Sequence, residues 1–342
     1  MSHLRSQDMS INKGILVFCE FSGDSLTSLT LELIGAGSRL AKSLDEELSA
    51  VLIGDNAGRY AQEAISSGVS KVYVIEDPLF KESLCEPYLI ALNKVIHQIS
   101  PSIILLGQTT LGRDLAPCLA FHLNTVATMD CVGLELDPSS RRLLMTRPVY
   151  GGNAEVIQIC ETDPQIVTVR AKSFDPAIQD GSRQGEIIRI PAEIDPQQLR
   201  TKMISVHTES QAGVKLEEAR VVVAGGRGIG SADGFKQLGE LAGILNGAVG
   251  ATRPPCDKKW IADSQQIGLT GKIVSPDLYF AVGLSGASQH LSGCYTSRII
   301  VAINKDPEAN IFKAAHYGIV DDWKTIVPVL ISRLKEVAVQ KK

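Results

Sequence analysis

A glycine-rich turn that contains one arginine lies in the second half of the chain. Residues 225–230 (GGRGIG) connect a predicted strand, 220–224, to a helix that we expect to begin near Ser231. Glycines let backbone amides approach an anion closely, and the dipole of a helix N-terminus favours phosphate. Arg227 adds a charge that could pair with a diphosphate. Because the spacing fits neither GxGxxG nor a Walker A loop, these residues alone leave phosphate binding and a plain tight turn equally open.

Three further polar segments follow in the same half of the chain. They are residues 250–253 (GATR), 266–272 (QIGLTGK) and 285–290 (SGASQH). An α/β domain builds ligand sites around strand ends and switch points, where irregular polar segments of this kind lie. Each segment alone could be a surface arginine, a loop threonine or a structural histidine. Their succession within one domain favours a shared ligand site.

The remaining titratable residues show no comparable pattern. Arg113 and Asp114 could form a ligand pair, although an ion pair at a helix start, with Asp114 near the positive dipole, is the favoured interpretation. The histidines at 97, 122, 207 and 316 are interpreted as structural, because they have no partners at metal-ligand spacing. The seven cysteines are scattered and never spaced as CxxC, which predicts reduced thiols without a disulfide framework or a zinc site.

The composition is that of a globular protein with more than one domain. A chain of 342 residues should form two domains, and 44% apolar with 21% charged residues excludes disordered and fibrous classes. A net charge of −4 gives no general attraction to nucleic acid or anionic membranes. Apolar segments fall short of the roughly 20 residues that span a bilayer, and residues 1–14 lack the apolar core of a signal peptide. We therefore expect a cytoplasmic protein without membrane insertion.

Strand-like and helix-like apolar segments alternate along the chain, which predicts parallel sheets with crossover helices. Strands are expected at 14–18, 49–53, 71–75, 102–106, 220–224, 278–282 and 299–303. Helices are expected near 29–44, 58–67, 84–99, 112–123, from Ser231 onward and towards Val337. Residues 131–169 show β-type alternation, whereas 173–216 are polar and rich in turn signals. We predict an α/β fold with two doubly wound, mostly parallel-sheet domains, residues 1–206 and 207–342, with a connection at 211–213.

The segment from Val221 to Asp322 resembles the flavin domain of the α subunit of electron-transfer flavoproteins, the group that includes the nitrogen-fixation protein FixB. The matching text is VVVAGGRGIGS, AVGATRPP, GLTGKIVSPDLYFAVGLSGASQHLSG, IVAINKDPEANIF and YGIVDD. The first half matches through GQTTLGRDLAP, TRPVYGGNA and VTVRAKSFDP. The resemblance covers nearly the whole chain after Asn12, and its motifs are long and occur in order.

The resemblance implies that the C-terminal domain binds one FAD in an extended conformation. It places Arg227 at the diphosphate and Arg253 against the isoalloxazine ring, where a fixed positive charge favours the negatively charged reduced form. It places Thr270 around flavin N5 and O4, and His290 opposite O2. Further flavin-contacting positions implied by the resemblance are Thr252, Gln266, Ile267, Gly268, Leu269, Ser285, Gly286, Ala287, Ser288, Gln289, Asn304, Asp322 and Trp323.

The chain departs from the family pattern at two of these positions. Leu269 stands where the family usually has glutamine, so a backbone contact would survive there but a side-chain contact would not. Ser288 replaces the usual apolar residue, which alters packing or polarity beside the flavin. Lys305 and Asp306 adjoin Asn304 and are interpreted as turn and surface charges.

The function implied by the resemblance is that of a redox carrier without substrate chemistry of its own. The chain would form a heterodimer with an electron-transfer flavoprotein β subunit, on which residues 1–206 pack. Flavin dehydrogenases such as acyl-CoA dehydrogenases would donate electrons, and a quinone reductase or ferredoxin-type carrier would accept them. The alternative is the α subunit of an electron-bifurcating flavoprotein that uses NADH and a second FAD in the β subunit. The segment GKIVSPDLYFAVG is closer to the shuttling type.

Two other classes of protein predict features that differ from those of this chain. A pyridine-nucleotide oxidoreductase predicts a GxGxxG turn, which the chain lacks. A flavin-free adenine-nucleotide module would be favoured by loss of Arg253, Thr270 and His290, and all three residues are present.

Overall fold

A computed structural model describes residues 12–152, 154–205 and 214–340. The chain divides into two compact units, Met1–Pro148 with Glu155–Val206, and Val149–Ala154 with His207–Lys342. The predicted boundary at residue 206, the predicted connection at 211–213 and His207 lie outside the described residues. The short segment 149–154 belongs to the second unit, where Gly152 packs closely on the ring of Tyr295.

Strands and helices alternate along most of the chain, whereas the described residues of 127–189 form six strands with no α-helix between them. The strands are β1 Ile15–Cys19, β2 Phe21–Ser22, β3 Ser25–Leu26, β4 Leu48–Gly54, β5 Lys71–Glu76, β6 Ile103–Gly107, β7 Ala127–Cys131, β8 Gly133–Leu136, β9 Leu143–Val149, β10 Ala154–Gln158, β11 Gln165–Val169, β12 Glu186–Arg189, β13 Val221–Gly225, β14 Ala248–Ala251, β15 Leu278–Val282, β16 Ile299–Asn304 and β17 Tyr317–Val320. The α-helices are α1 Ser28–Leu44, α2 Ala61–Ser67, α3 Cys85–Ile99, α4 Thr110–His122, α5 Ala232–Ile244, α6 Arg253–Asp257, α7 Ser288–Leu291, α8 Ile311–Ala314 and α9 Trp323–Gln340.

The first unit is built on a parallel sheet with the strand order β12-β5-β4-β1-β6-β11-β7. Its central strands are apolar at every position, since side chains on both faces are buried under helices. Leu33 of α1 packs with Val17 on one face, whereas Leu92 of α3 and Leu115 of α4 pack with Phe18 on the other. This is the doubly wound arrangement that the alternation predicts.

One strand of this sheet lies in the stretch that the sequence predicts to be turns. β12 pairs in parallel with β5 at the edge of the sheet, from Glu186 opposite Lys71 to Arg189 opposite Val74. Its residues are mostly exposed, so main-chain hydrogen bonds and not burial of side chains define the strand. A strand of this kind has no apolar signature in the sequence.

The second unit contains a parallel sheet with the strand order β14-β13-β15-β16-β17. Its first strand in the sequence, β13, has β14 on one side and β15 on the other. This arrangement makes a topological switch point. Buried residues cover both faces of the sheet, with Tyr279 on one face and Phe280 on the other. The predicted fold class, two mostly parallel α/β sheets, is confirmed. β14 and β17 were not predicted, because each is four residues long and contains glycine.

No α-helix in the described ranges is long and apolar enough to cross a membrane.

Helix α5 begins directly after the glycine-rich turn and holds it in place. The hydroxyl of Ser231 accepts a hydrogen bond from the amide of Gly234 at 3.3 Å, which caps the helix. A Cβ atom on Gly234 would lie 2.4 Å from Cγ2 of Ile229, within the turn. Gly239, one and a half turns further along α5, has open space at the same position.

We expect opposite effects from alanine at these two helical glycines. Gly234→Ala should lower the free energy of unfolding by about 1–3 kcal/mol, because the added methyl group overpacks Ile229. Gly239→Ala should raise it by about 0.5–1 kcal/mol, because alanine costs less backbone entropy in a helix. Urea unfolding of both variants measures the difference, and equal effects at the two positions would contradict the close packing of helix and turn.

Candidate functional site

A cavity of about 740 Å³ opens at the carboxyl edge of the five-stranded sheet. Its walls follow the ends of four neighbouring strands: residues 227 and 228 after β13, 252–254 after β14, 283–287 after β15, and 304 and 305 at the end of β16. Residues 266–270 and the helix α7 complete the lining. The position is the switch point of the sheet, where open α/β sheets bind their ligands, and the volume is that of a ligand pocket.

The cavity brings together most of the residues that the sequence analysis predicts to contact the cofactor, which are called the nominated residues below. The nominated residues in its lining are Arg227, Thr252, Arg253, Gln266, Ile267, Gly268, Leu269, Thr270, Ser285, Gly286, Ala287, Gln289, His290 and Asn304. Gly228, Pro254, Gly283, Leu284 and Lys305 also line it and were not nominated. Lys305, interpreted from the sequence as a turn charge, could have been found from its position directly after a strand end.

Three nominated residues lie outside the lining. Trp323 is buried behind the glycine-rich turn, where its Nε1 donates to the carbonyl oxygen of Gly228 at 3.1 Å. Asp322 precedes α9 and its carboxylate accepts from the amide of Lys324 at 2.9 Å. Ser288 is the exposed first residue of α7. In the structure, Trp323 supports the turn and Asp322 supports the start of a helix.

The amides of the glycine-rich turn are largely used within the protein. The amide of Gly226 donates to the carbonyl oxygen of Val282, and that of Gly228 to Gly283, both at 2.9 Å. A Cβ atom on Gly226 would lie 2.4 Å from the Gly283 oxygen. These glycines therefore allow the turns after β13 and β15 to touch, and the exposed side chain of Arg227 is left as the charged group beside the cavity.

The loop 266–272 is held against α7 and β14 by main-chain hydrogen bonds. Ile267 donates to Ala251 at 2.8 Å, and Leu269 donates to Gln289 at 2.7 Å. Gly268 has a φ of +137°, and a Cβ atom there would lie 2.6 Å from the Gln289 oxygen, so the position requires glycine. The Leu269 side chain is exposed, while the Thr270 hydroxyl accepts from Nε2 of Gln266 at 2.9 Å. The unusual leucine thus leaves the backbone contact of the loop intact.

His290 is buried with both ring nitrogens facing protein groups. Nδ1 lies 3.0 Å from the carbonyl oxygen of Ile267, and Nε2 lies 2.8 Å from the hydroxyl of Tyr279. Burial lowers the pKa of His290 from 6.5 to about 4, while the bond to Ile267 opposes that shift. The imidazole in the cavity wall is therefore neutral at pH 7.

Positive side chains reach the cavity from three different strand ends. Arg253 begins α6 and is exposed, with its Nε 3.5 Å from Asp257. Arg227 and Lys305 are likewise exposed, and the described lining contains no aspartate or glutamate. Asn304 closes one side, since its Nδ2 donates to the carbonyl oxygen of Leu284 at 2.9 Å. A long, anionic ligand with an apolar part fits such a cavity, and FAD, with its diphosphate and flat ring, has this chemistry.

The described residues contain no group of three or more histidine, cysteine, aspartate or glutamate side chains placed to bind a metal ion. His316 accepts a hydrogen bond from the amide of Ile300 at 3.0 Å, and His122 contacts the carbonyl oxygen of Cys118 at 2.9 Å. Arg113 and Asp114 are exposed on the first turn and a half of α4.

Comparison with known proteins gives two family matches that cover most of the chain. Residues 15–195 match the family described as "Electron transfer flavoprotein domain", and residues 215–295 match "Electron transfer flavoprotein FAD-binding domain". The chain is 43% identical to "Electron transfer flavoprotein subunit alpha" of Thermoanaerobacterium thermosaccharolyticum, over 96% of this chain and 99% of the relative. It is 42% identical to the protein of the same description from Bacillus subtilis, over 95% and 98%. It is 38% identical to "Protein FixB" of Clostridium saccharobutylicum, over 95% and 97%.

The lowered pKa of His290 predicts a pH dependence of stability. Well above pH 6.5 the ring is neutral in both the folded and the unfolded chain. His290 therefore does not lower the free energy of unfolding there. Between pH 6.5 and 4 the unfolded chain binds the proton first, and stability falls as the pH decreases. From pH 7 to pH 5 the wild type should lose about 2 kcal/mol more than His290→Asn. Urea unfolding of the wild type and His290→Asn at both pH values measures this, and equal losses in the two proteins would contradict the burial of a neutral imidazole at this position.

Proposed function

Because this chain belongs to the family of electron transfer flavoprotein α subunits, we propose that it is the FAD-carrying subunit of a heterodimeric electron carrier. One observation carries the proposal. The switch point of the second unit gathers fourteen of the seventeen nominated residues around one cavity, with cations from three strand ends and no carboxylate in its described lining. The electron-transfer role follows from the family, and the cofactor is FAD.

We assign the cavity residues two kinds of contact with the cofactor, one with its diphosphate and one with its ring. Bound FAD supplies reversible uptake and release of electrons. Arg227, within the glycine-rich turn, would pair with the diphosphate, because the amides of Gly226 and Gly228 already donate to carbonyl oxygens of the protein. Arg253 would place a positive charge near the ring and so favour its negatively charged reduced form. Thr270, on the loop 266–272, would orient the polar edge of the ring.

The partners proposed for this carrier are other proteins. A β subunit completes the heterodimer, with the first unit packed against it. Flavin dehydrogenases such as acyl-CoA dehydrogenases donate electrons in the cytoplasm, and a quinone reductase or ferredoxin-type protein accepts them. The relatives named "Electron transfer flavoprotein subunit alpha" support the carrier role. The chain performs no substrate chemistry of its own.

The test is an absorbance spectrum of the chain co-expressed and purified with its β subunit. One FAD per heterodimer that is reduced and reoxidised with an acyl-CoA dehydrogenase as donor is the expected result. Two FAD per heterodimer together with reduction by NADH would replace the shuttle by the bifurcating type. Absence of flavin, with FAD supplied and β present, would overturn the proposal.

The two arginines should produce different defects when they are removed. Arg227→Ala should raise the Kd for FAD about tenfold, with a weaker dependence on salt than in the wild type, because a diphosphate contact is lost. Arg253→Ala should lower the midpoint potential of bound FAD by about 30–60 mV, because the reduced form loses a nearby positive charge. Arg333→Ala is the control, since that exposed arginine pairs with Glu336 on α9, outside the cavity lining. Equal Kd and potential in all three variants would contradict these roles.

A further inference from the structure

Tyr279 connects the interior of the second unit to the wall of the cavity. It lies in β15, its side chain is fully buried, and its hydroxyl is 2.8 Å from Nε2 of His290. Tyr279 is not part of the cavity lining, whereas His290 is. The hydroxyl of Tyr279 therefore reaches the cavity wall through its hydrogen bond to the histidine.

The direction of the hydrogen bonds follows from the chemistry of the partners. The carbonyl oxygen of Ile267, 3.0 Å from Nδ1, can only accept, so Nδ1 carries the proton. In a neutral imidazole Nε2 is then an acceptor, and the hydroxyl of Tyr279 donates to it. Two bonds at opposite sides of the ring fix both its tautomer and its plane.

The fixed ring in turn holds the loop that forms one cavity wall. His290 donates to Ile267, and the neighbouring Gln289 accepts from Leu269 at 2.7 Å, so α7 holds the loop 266–272 at two successive points. This loop carries Gln266 and Thr270, whose side chains meet at 2.9 Å beside the cavity. A continuous chain of contacts thus runs from Tyr279 through His290 to the loop.

We propose that Tyr279 is a positioning residue for the cofactor: its hydroxyl holds the His290 imidazole as a neutral Nδ1–H tautomer, which fixes the loop 266–272 against the cavity. His290 then supports the cavity wall without carrying a charge. The positive charge near the ligand comes from Arg227, Arg253 and Lys305. This inference rests on the proposed function, since it concerns how FAD is held. The competing explanation is that Tyr279 only fills the core and that its hydroxyl has no effect on the cavity.

The experiment compares Tyr279→Phe with a matched deletion elsewhere in the chain. Tyr88 is also buried, and its hydroxyl donates to the carbonyl oxygen of Phe80 at 3.1 Å in the first unit. Each substitution removes one buried, hydrogen-bonded oxygen and keeps the ring. In the full-length chain purified with its β subunit, Tyr279→Phe should raise the Kd for FAD about threefold to tenfold, the effect of one neutral hydrogen bond. Tyr88→Phe should leave the Kd at the wild-type value.

A second measurement reads the histidine itself and does not depend on bound FAD. In ¹⁵N-histidine-labelled wild type, the His290 signals should be those of a neutral ring with the proton on Nδ1. In Tyr279→Phe, Nε2 no longer accepts a hydrogen bond from the tyrosine hydroxyl, so its signal should shift towards that of an unprotonated nitrogen that accepts no hydrogen bond. Nδ1 should keep its proton. Tyr88→Phe should leave both signals unchanged.

The outcomes separate this inference from the proposed function. Wild type without measurable FAD binding would overturn the proposed function and this inference with it. Wild-type FAD binding together with an unchanged Kd in Tyr279→Phe would overturn only the role of Tyr279. A protonated His290, or a proton on Nε2, in the labelled wild type would overturn it as well, even if Tyr279→Phe failed to fold.

Discussion

The pairing of β13 with a strand on each side is the constraint on which the site depends. β14 and β15 both lie beside β13 and run parallel to it, so their connections leave the carboxyl edge in opposite directions and open a crevice there. Most residues proposed to contact the cofactor reach that crevice from a loop or a short helix, and Asn304 reaches it from the end of β16. The five-stranded sheet therefore supplies the geometry, and the loops supply the chemistry.

Close contact between main chains keeps these loops in place. The turns after β13 and β15 touch at Gly226 and Gly283, and the loop 266–272 touches α7 at Gly268. Because hydrogen bonds between backbones hold the loops, the side chains of Arg227, Arg253 and Thr270 need not stabilise them. The glycines at these positions are required for close contact between main chains. This requirement is independent of any approach of a phosphate.

Charge and burial are arranged differently at the rim and in the wall of the cavity. The arginines and Lys305 are exposed, so their charges remain solvated and cost little to maintain without a ligand. The buried groups, Tyr279 and His290, are neutral and satisfied by each other and by a carbonyl oxygen. A buried cation in this position would carry a large desolvation cost. The arrangement suits a cofactor whose own charge changes, because the wall does not have to change its protonation.

The sequence by itself determined the α/β class, the buried strands such as 278–282, and the family with its FAD chemistry, because these depend on local apolar periods and on contiguous motifs. Only the tertiary structure decided the edge strands β12, β14 and β17, whose hydrogen bonds come from residues distant in the sequence. It also decided that Trp323 lies behind the glycine-rich turn, that Lys305 reaches the cavity, and that both nitrogens of His290 face protein groups. A sequence states which groups are present, but which partner each one meets depends on how the strand ends are brought together.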